Sequence, residues 1–231
     1  MTAKSPADQL HYISSVAGRY TLGDRPQIPG INILACRLRA ISETSLIATA
    51  PVLGKVGEPI SLRFAPFGTL RGHISRHVAD GFVVALDSSE DESAALGDRI
   101  GQYQHRLWTG MADKRAQKRF MPAEPRSVLI RETQEMLPCL VVDYSACGAA
   151  VSAQVQPELG ERVMVGQVEA DVVRLFDVGF AVHFAEPQSI EEIESLLESP
   201  QEWRLAVAVL PPRVADSDEA IEFADLIGFC D

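Results

Sequence analysis

Residues 36–62 read CRLRAISETSLIATAPVLGKVGEPISL, and residues 139–165 read CLVVDYSACGAAVSAQVQPELGERVMV. Laid over one another at a constant offset of 103, they match Cys36 with Cys139, Ser42 with Ser145 and Gly57-Glu58 with Gly160-Glu161. Further along, GHISRHVADGFVVAL lies over EADVVRLFDVGFAVHF at an offset of 98, which pairs Arg76 with Arg174 and Gly81-Phe82 with Gly179-Phe180. A duplicated unit sets the domain count. The change of five residues in the offset fits a hairpin that is longer in the first copy.

Within each copy the signal is short strands: ISLRF, LRGHISRHV and GFVVAL in the first, then CLVVDY, GAAVSA, RVMVGQVEADVVRLF and GFAVHF in the second. The runs alternate or are β-branched, and Gly, Pro, Asp or Asn bounds them. Strands at that spacing make an antiparallel sandwich or barrel. Between the copies, residues 90–107 read as a helix whose Leu96, Ile100, Tyr103 and Leu107 make one apolar stripe, expected to pack between two barrels. A second helix is expected from Ser189, as its N-cap, through Ile190, Ile193, Leu196 and Leu197 to Pro200. Beyond it, LAVAVLPP suits a short strand, and DSDEAIEFADLIGF suits either a helix or an acidic tail.

The chain has 231 residues, enough for two small domains of roughly 100 residues each. No apolar run approaches the ~18 residues of a membrane span, and the first residues have no apolar signal core. The expectation is a cytoplasmic protein. Cys36, Cys139, Cys147 and Cys230 are too dispersed for a disulfide framework, and no CxxC pair suggests zinc. They are expected to be reduced and mostly buried. A net charge of -11 argues against a nucleic acid polymer or an anionic membrane as partner. The charge is uneven: residues 186–231 hold 12 acidic and 2 basic residues, whereas residues 113–131 hold Lys114, Arg115, Lys118, Arg119, Arg126 and Arg131 against Asp113 and Glu124. The basic stretch is a candidate anion site in an acidic protein.

Two elements of the second copy carry chemistry: Arg115-Ala-Gln-Lys-Arg119, ahead of its first strand, and Asp143-Tyr-Ser145-Ala-Cys-Gly148, at a strand end. Their order and their separation of 24 residues, from Arg119 to Asp143, resemble the signature of the PilZ family, RxxxR followed by (D/N)xSxxG. The downstream GxRVxxGxxxxxVVRxxxxGxxxxF pattern is similar as well. The resemblance, to a tandem PilZ protein of the alphaproteobacterial type, covers most of residues 16–186, including AGRYTL and the linker helix. It implies two six-stranded antiparallel β-barrels joined by a helical linker, cyclic di-GMP as ligand, no catalysis and no cofactor. It assigns ligand contact to Arg115, Arg119, Asp143, Ser145 and Gly148. The outputs that the family suggests are motility, exopolysaccharide synthesis and surface attachment.

The residues themselves suit that ligand. A cyclic dinucleotide presents two phosphodiester anions and guanine edges whose N7 and O6 accept a forked pair of N–H donors, which a guanidinium supplies. Asp143 suits the guanine N1–H and N2–H groups, Ser145 offers a hydroxyl, and Gly148 lets the backbone come close. In the first copy Ala40 stands for Asp143, Ser45 stands for Gly148, and no RxxxR precedes the strand. The first copy is therefore expected to keep the barrel and lack the ligand. The expected division is residues 1–87, a degenerate barrel; 88–112, the linker helix; 113–200, the second barrel with its helix; and 201–231, an acidic tail. A signal would pass to an effector protein through rearrangement of linker and domains; the alternative is an interaction module that binds no nucleotide. The number of nucleotides bound and a homodimer are left open.

Other features carry less. His73 and His77 are four apart on a strand, which puts them on one face about 13 Å apart, too far for one metal. Arg174 either lines the ligand site or pairs with a carboxylate in the barrel. Cys147 is expected to be a small buried side chain. No nucleophile elbow, phosphate-binding glycine loop or metal-ligand cluster is present, which argues against an enzyme.

Overall fold

Along each strand of the second copy, inward residues recur at every second position. Cys139 and Val141; Ala149, Val151 and Ala153; Val163 and Val165; Val168, Ala170 and Val172; and Phe180, Val182 and Phe184 make one buried core. A period of two is what a strand with one covered face requires, and six such strands closed on themselves leave no bare edge. The first copy repeats the pattern at the same offsets, with buried Cys36 and Leu38, Leu46 and Ala48, Ile60 and Leu62, and Phe82 and Val84.

The computed structural model describes residues 9–23, 27–108, 118–208, 210 and 213. The first barrel comprises β1 (His11–Leu22), β2 (Leu34–Ile41), β3 (Ser45–Thr49), β4 (Pro59–Phe64), β5 (Gly68–Val78) and β6 (Gly81–Leu86), closed in the order β1-β2-β3-β6-β5-β4. The second comprises β7 (Arg126–Arg131), β8 (Met136–Ser145), β9 (Gly148–Ala153), β10 (Arg162–Val165), β11 (Val168–Phe176) and β12 (Gly179–Phe184) in the same circuit, β7-β8-β9-β12-β11-β10. The fold is thus mainly β, two closed six-stranded antiparallel barrels, the architecture that the PilZ resemblance implies. The run RVMVGQVEADVVRLF is two strands: the chain turns at Gly166, where φ is +61°.

The duplication extends to the irregularities. β-Bulges fall between Leu38 and Ala40 and between Ile74 and Arg76 in the first barrel, and between Val141 and Asp143 and between Val172 and Arg174 in the second. These are the same positions at offsets of 103 and 98. Gly57 and Gly160, matched in sequence, share a φ of +84°. The bulge also corrects the expectation that His73 and His77 share a face, because an extra residue between them reverses the alternation. His73 is exposed beside Asp87, 3.2 Å away, whereas His77 is buried opposite Phe82.

Two compact units contain these barrels. Among the described residues, the first unit is 9–23 with 36–108, and the second is 27–35 with 118–208, 210 and 213. In the first unit, α1 (Glu90–Trp108) opens with a capping box: Ser89 N–H donates to the Glu92 carboxylate at 2.9 Å and Glu92 N–H to the Ser89 hydroxyl at 3.3 Å. Its Leu96 and Ile100 are buried, the Tyr103 ring lies 5.2 Å from Phe67, and Arg99 donates to the Phe67 carbonyl. The apolar stripe therefore faces the first barrel; the Leu107 side chain lies outside the description.

In the second unit, α2 (Ile193–Leu197) plugs one mouth of the barrel with Ile193 and Leu197. It begins later than the sequence suggests, with Glu192 rather than Ser189 at the N-cap. A further short helix, α3 (Arg204–Val207), follows, and most of the acidic tail lies outside the described residues. Residues 27–35, which run from the β1–β2 connection into the first two residues of β2, belong to this unit. Ile33 and Ala35 pack against Val142, Ala150 and Val178, and Ala35 N–H donates to the Ser152 hydroxyl at 3.1 Å. Gly30, at φ +73°, lies so close that a Cβ there would meet Gln154 N at 2.2 Å. No described helix is long and apolar enough to cross a membrane.

Candidate functional site

Strict alternation from Cys139 and Val141 would point the next odd residue, Asp143, into the apolar core, where a carboxylate is costly. The bulge at this point supplies one extra residue, so that Tyr144 enters the core and Asp143 pairs with Ala150 on the outer face. The second bulge does the same for Arg174, which pairs with Ala181 instead of entering the core. Because Ala150 in turn pairs with Ala181, Asp143, Ala150, Ala181 and Arg174 form one rung across β8, β9, β12 and β11. Strands lie about 4.8 Å apart, so a carboxylate and a guanidinium stand at the two ends of a rung about 14 Å long.

Arg119 reaches the carboxylate end. The segment before β7 meets β8 at an isolated bridge, where Phe120 and Tyr144 exchange both backbone hydrogen bonds at 2.8 Å. This sets the Arg119 guanidinium on Asp143 as a charge-assisted donor. Asp143 is only 3% exposed, so Arg119 is part of its cover. Lys118 is exposed, with its ammonium 5.3 Å from the Phe120 ring. Arg115 lies outside the described residues.

Ser145 and Gly148 close the β8–β9 hairpin. The Ser145 hydroxyl donates to the Gly148 carbonyl at 3.3 Å. A Cβ on Gly148 would fall 2.2 Å from the Val182 carbonyl oxygen of β12, so the close approach that this glycine permits is to a neighbouring strand. Cys147, between them, is half-buried. Burial pushes the Cys139 thiol up to about 12, so at neutral pH it is a neutral core side chain.

The first barrel has the same rung without the carboxylate: Ala40 pairs with Ile47, Ile47 with Val83 and Val83 with Arg76, which stands where Arg174 stands in the second. Leu10 packs against Ala40, Ile47, Val78 and Val83. Leu10 precedes Tyr20 by ten residues, as Arg119 precedes Leu129, and Tyr20 and Leu129 pair with the matched residues Leu62 and Val165. Where the second barrel sets Arg119 on Asp143, the first sets leucine on alanine.

Arg174 is exposed and makes no ion pair among the described residues, so of its two readings the carboxylate partner is not what the structure shows. The middle of the rung is roofed, with Ala150 only 1% exposed beneath Ile33 and Ala35. Sequence reasoning missed this roof, the alanine floor and Glu194, whose carboxylate accepts from the Tyr144 hydroxyl at 2.9 Å and from Ala123 N–H at 2.6 Å. The available signal was the charged residue standing where alternation demands an apolar one. Elsewhere in this barrel, Arg131 forks onto Glu161 through two bonds of 2.9 Å and also reaches Glu135, which holds Glu161 below the usual carboxylate range. Among the described residues no group of three or more His, Cys, Asp or Glu is placed to hold a metal.

No protein-family model matches the chain, and no curated protein matches it. Solved structures do. The chain is similar to the PlzA protein of Borreliella burgdorferi in complex with c-di-GMP at 14% identity, over 83% of this chain and 93% of that one, with a TM-score of 0.27. It is similar to the inhibitor of motility MotI/DgrA of Bacillus subtilis at 15% identity, over 80% and 94%, with a TM-score of 0.28. YcgR of Escherichia coli in complex with c-di-GMP matches at 11% identity, over 84% of each chain, with a TM-score of 0.26.

Proposed function

We propose that the chain is a non-enzymatic receptor for cyclic di-GMP, a tandem PilZ-type protein whose second barrel binds the ligand through Arg115, Arg119, Asp143, Ser145 and Gly148. The observation that carries the proposal is the Arg119–Asp143 pair. Two motifs 24 residues apart meet on the outer rung of one barrel, and the other barrel holds Leu10 and Ala40 in the same places. Binding is an exchange of partners. The Asp143 oxygens pass from the guanidinium to guanine N–H groups, and Arg119 turns its fork to a phosphodiester or to guanine N7 and O6. Each charge-assisted bond lost is replaced by another, so breaking the resting pair costs little net.

Releasing Arg119 frees the segment before β7 to fold over the ligand, and an effector protein reads the altered surface. Such an order–disorder switch requires that the nucleotide bind one arrangement better than the other. The first barrel, whose rung has Ala40 in place of the carboxylate and Leu10 packed over it, serves docking rather than nucleotide binding.

The test is isothermal titration of the whole chain with cyclic di-GMP, beside an Arg115→Ala, Arg119→Ala double variant and GTP as a control. Saturable heat with wild type, absent in the double variant, is the expected result. The competing reading, an interaction module that binds no nucleotide, takes the Arg119–Asp143 pair as an internal brace. It predicts no heat from any variant, and that outcome would overturn the receptor.

A further inference from the structure

The segment that carries Arg119 has few anchors. Among the described residues before β7, its backbone ties to the barrel are the Phe120–Tyr144 bridge and, next to β7 itself, the Pro125 carbonyl, which accepts from Val141 N–H at 2.7 Å. One side chain spans both sides of that bridge. Glu194 takes the Ala123 amide on one oxygen, at 2.6 Å, and the Tyr144 hydroxyl on the other, at 2.9 Å. Tyr144 adjoins Asp143 in β8, and its ring lies 5.9 Å from Phe120, next to Arg119. A single carboxylate thus fastens the arginine-bearing segment and the strand of the DxSxxG motif to each other.

The carboxylate is itself on a rigid seat. Ile193 and Leu197, flanking it on α2, are buried in the barrel mouth. The Leu196 carbonyl accepts from Gln167 N–H at 2.8 Å, and the Leu197 carbonyl from the Ser127 hydroxyl at 2.5 Å. Burial and the Glu194 carboxylate push the Tyr144 phenol up to about 12, so it remains a donor at neutral pH. A second tie reaches the same segment from farther along the chain, where Arg213 donates to the Pro122 carbonyl at 2.9 Å.

We infer that Glu194 is a positioning residue for the nucleotide site: by joining Ala123 and Tyr144 it sets the height of Arg119 above Asp143. It contacts no ligand atom. This inference rests on the receptor reading, and it explains why the barrel continues into α2 rather than ending at β12. Arg119 must first meet Asp143 and then swing to an anion, and both positions depend on where Phe120 and Ala123 are held. Loss of a carboxylate that takes two hydrogen bonds weakens the geometry by an amount worth about tenfold to a hundredfold in affinity.

The experiment compares wild type with Glu194→Ala, Glu194→Gln and Tyr144→Phe in two measurements on the whole chain: cyclic di-GMP titration, and hydrogen exchange without ligand. Glutamine keeps an acceptor for Ala123 N–H, so it is expected to restore most of the affinity that alanine loses; Tyr144→Phe is expected to lose part. Exchange at Phe120 and Ala123 is expected to quicken in Glu194→Ala while core amides such as Val151 and Val182 keep their protection, which a general loss of stability would not produce. If Glu194→Ala fails to fold, Tyr144→Phe and Glu194→Gln decide. Wild-type affinity and unchanged exchange in the folded variants would overturn the inference. If wild type binds no nucleotide, the receptor reading fails on its own, and selective exchange at Phe120 and Ala123 still shows whether Glu194 holds the segment.

Discussion

Replacing Gly148 by alanine asks what the glycine of the DxSxxG motif is for. Gly148 opens β9, paired with Ser145 on one side and with His183 of β12 on the other. Its φ is not positive, so alanine is conformationally allowed there, and the less flexible unfolded chain returns about 0.4–1 kcal/mol. Against this, the new Cβ lies 2.2 Å from the Val182 carbonyl oxygen, a backbone atom inside a closed barrel that cannot rotate away. Overpacking of this kind costs about 1–3 kcal/mol, leaving a net destabilisation of about 1–2 kcal/mol. For a domain near 100 residues that lowers the melting temperature of the second barrel by about 5–15 °C. Differential scanning calorimetry of the whole chain with and without cyclic di-GMP measures it. An unchanged melting temperature would refute the reasoning: β9 and β12 would then separate as freely as their counterparts in the first barrel, where Ser45 already stands at the matched position. Binding lost without any change in melting would return Gly148 to direct ligand contact.

Acid should weaken the second barrel in a defined window. Hydrogen bonds from Arg131 and from Arg126 hold Glu161 and Glu124 below their ordinary value of 4.5, so the unfolded chain takes up protons first as pH falls. Their contribution is complete above about pH 4.5 and is lost as pH drops through the folded values; acid unfolding followed by circular dichroism should be less steep in Glu161→Gln. Gly30→Ala should destabilise the second barrel by at least about 2 kcal/mol, since it forces a positive φ on a side chain and drives a Cβ into the Gln154 backbone. Urea unfolding checks it, and a shift confined to the first barrel would contradict the placement of residues 27–35.

The barrels were legible because their cores are written twice. Matched apolar residues at offsets of 103 and 98, alternating with polar ones, specify paired strands whatever their exact chemistry. The bulges were not legible by alternation, since a bulge appears in sequence only as a break in period. Yet the break carries the site: it moves Asp143 and Arg174 from the inside to the outside of the sheet. The motif pair Arg119 and Asp143 was found by spacing, and the structure brings them together; Ser145 and Gly148 it places in the turn itself. Glu194 was hidden because nothing local marks it. Its partners lie 71 and 50 residues away, and only the closing of the barrel brings α2 back to them. The apolar residues of IPGINIL look like an ordinary linker until their roofing role is seen.

That roof makes the second barrel a discontinuous object. A fragment that begins anywhere from residue 36 to residue 118 would contain all six strands and α2, yet would leave Val142, Ala150 and Val178 bare where Ile33 and Ala35 belong. Such a fragment has a hydrophobic scar beside the Asp143 carboxylate, and it can heal that scar only by borrowing the missing strip from elsewhere. Supplying residues 27–35 as a separate peptide, or grafting them ahead of the fragment, is therefore the condition for studying this barrel alone.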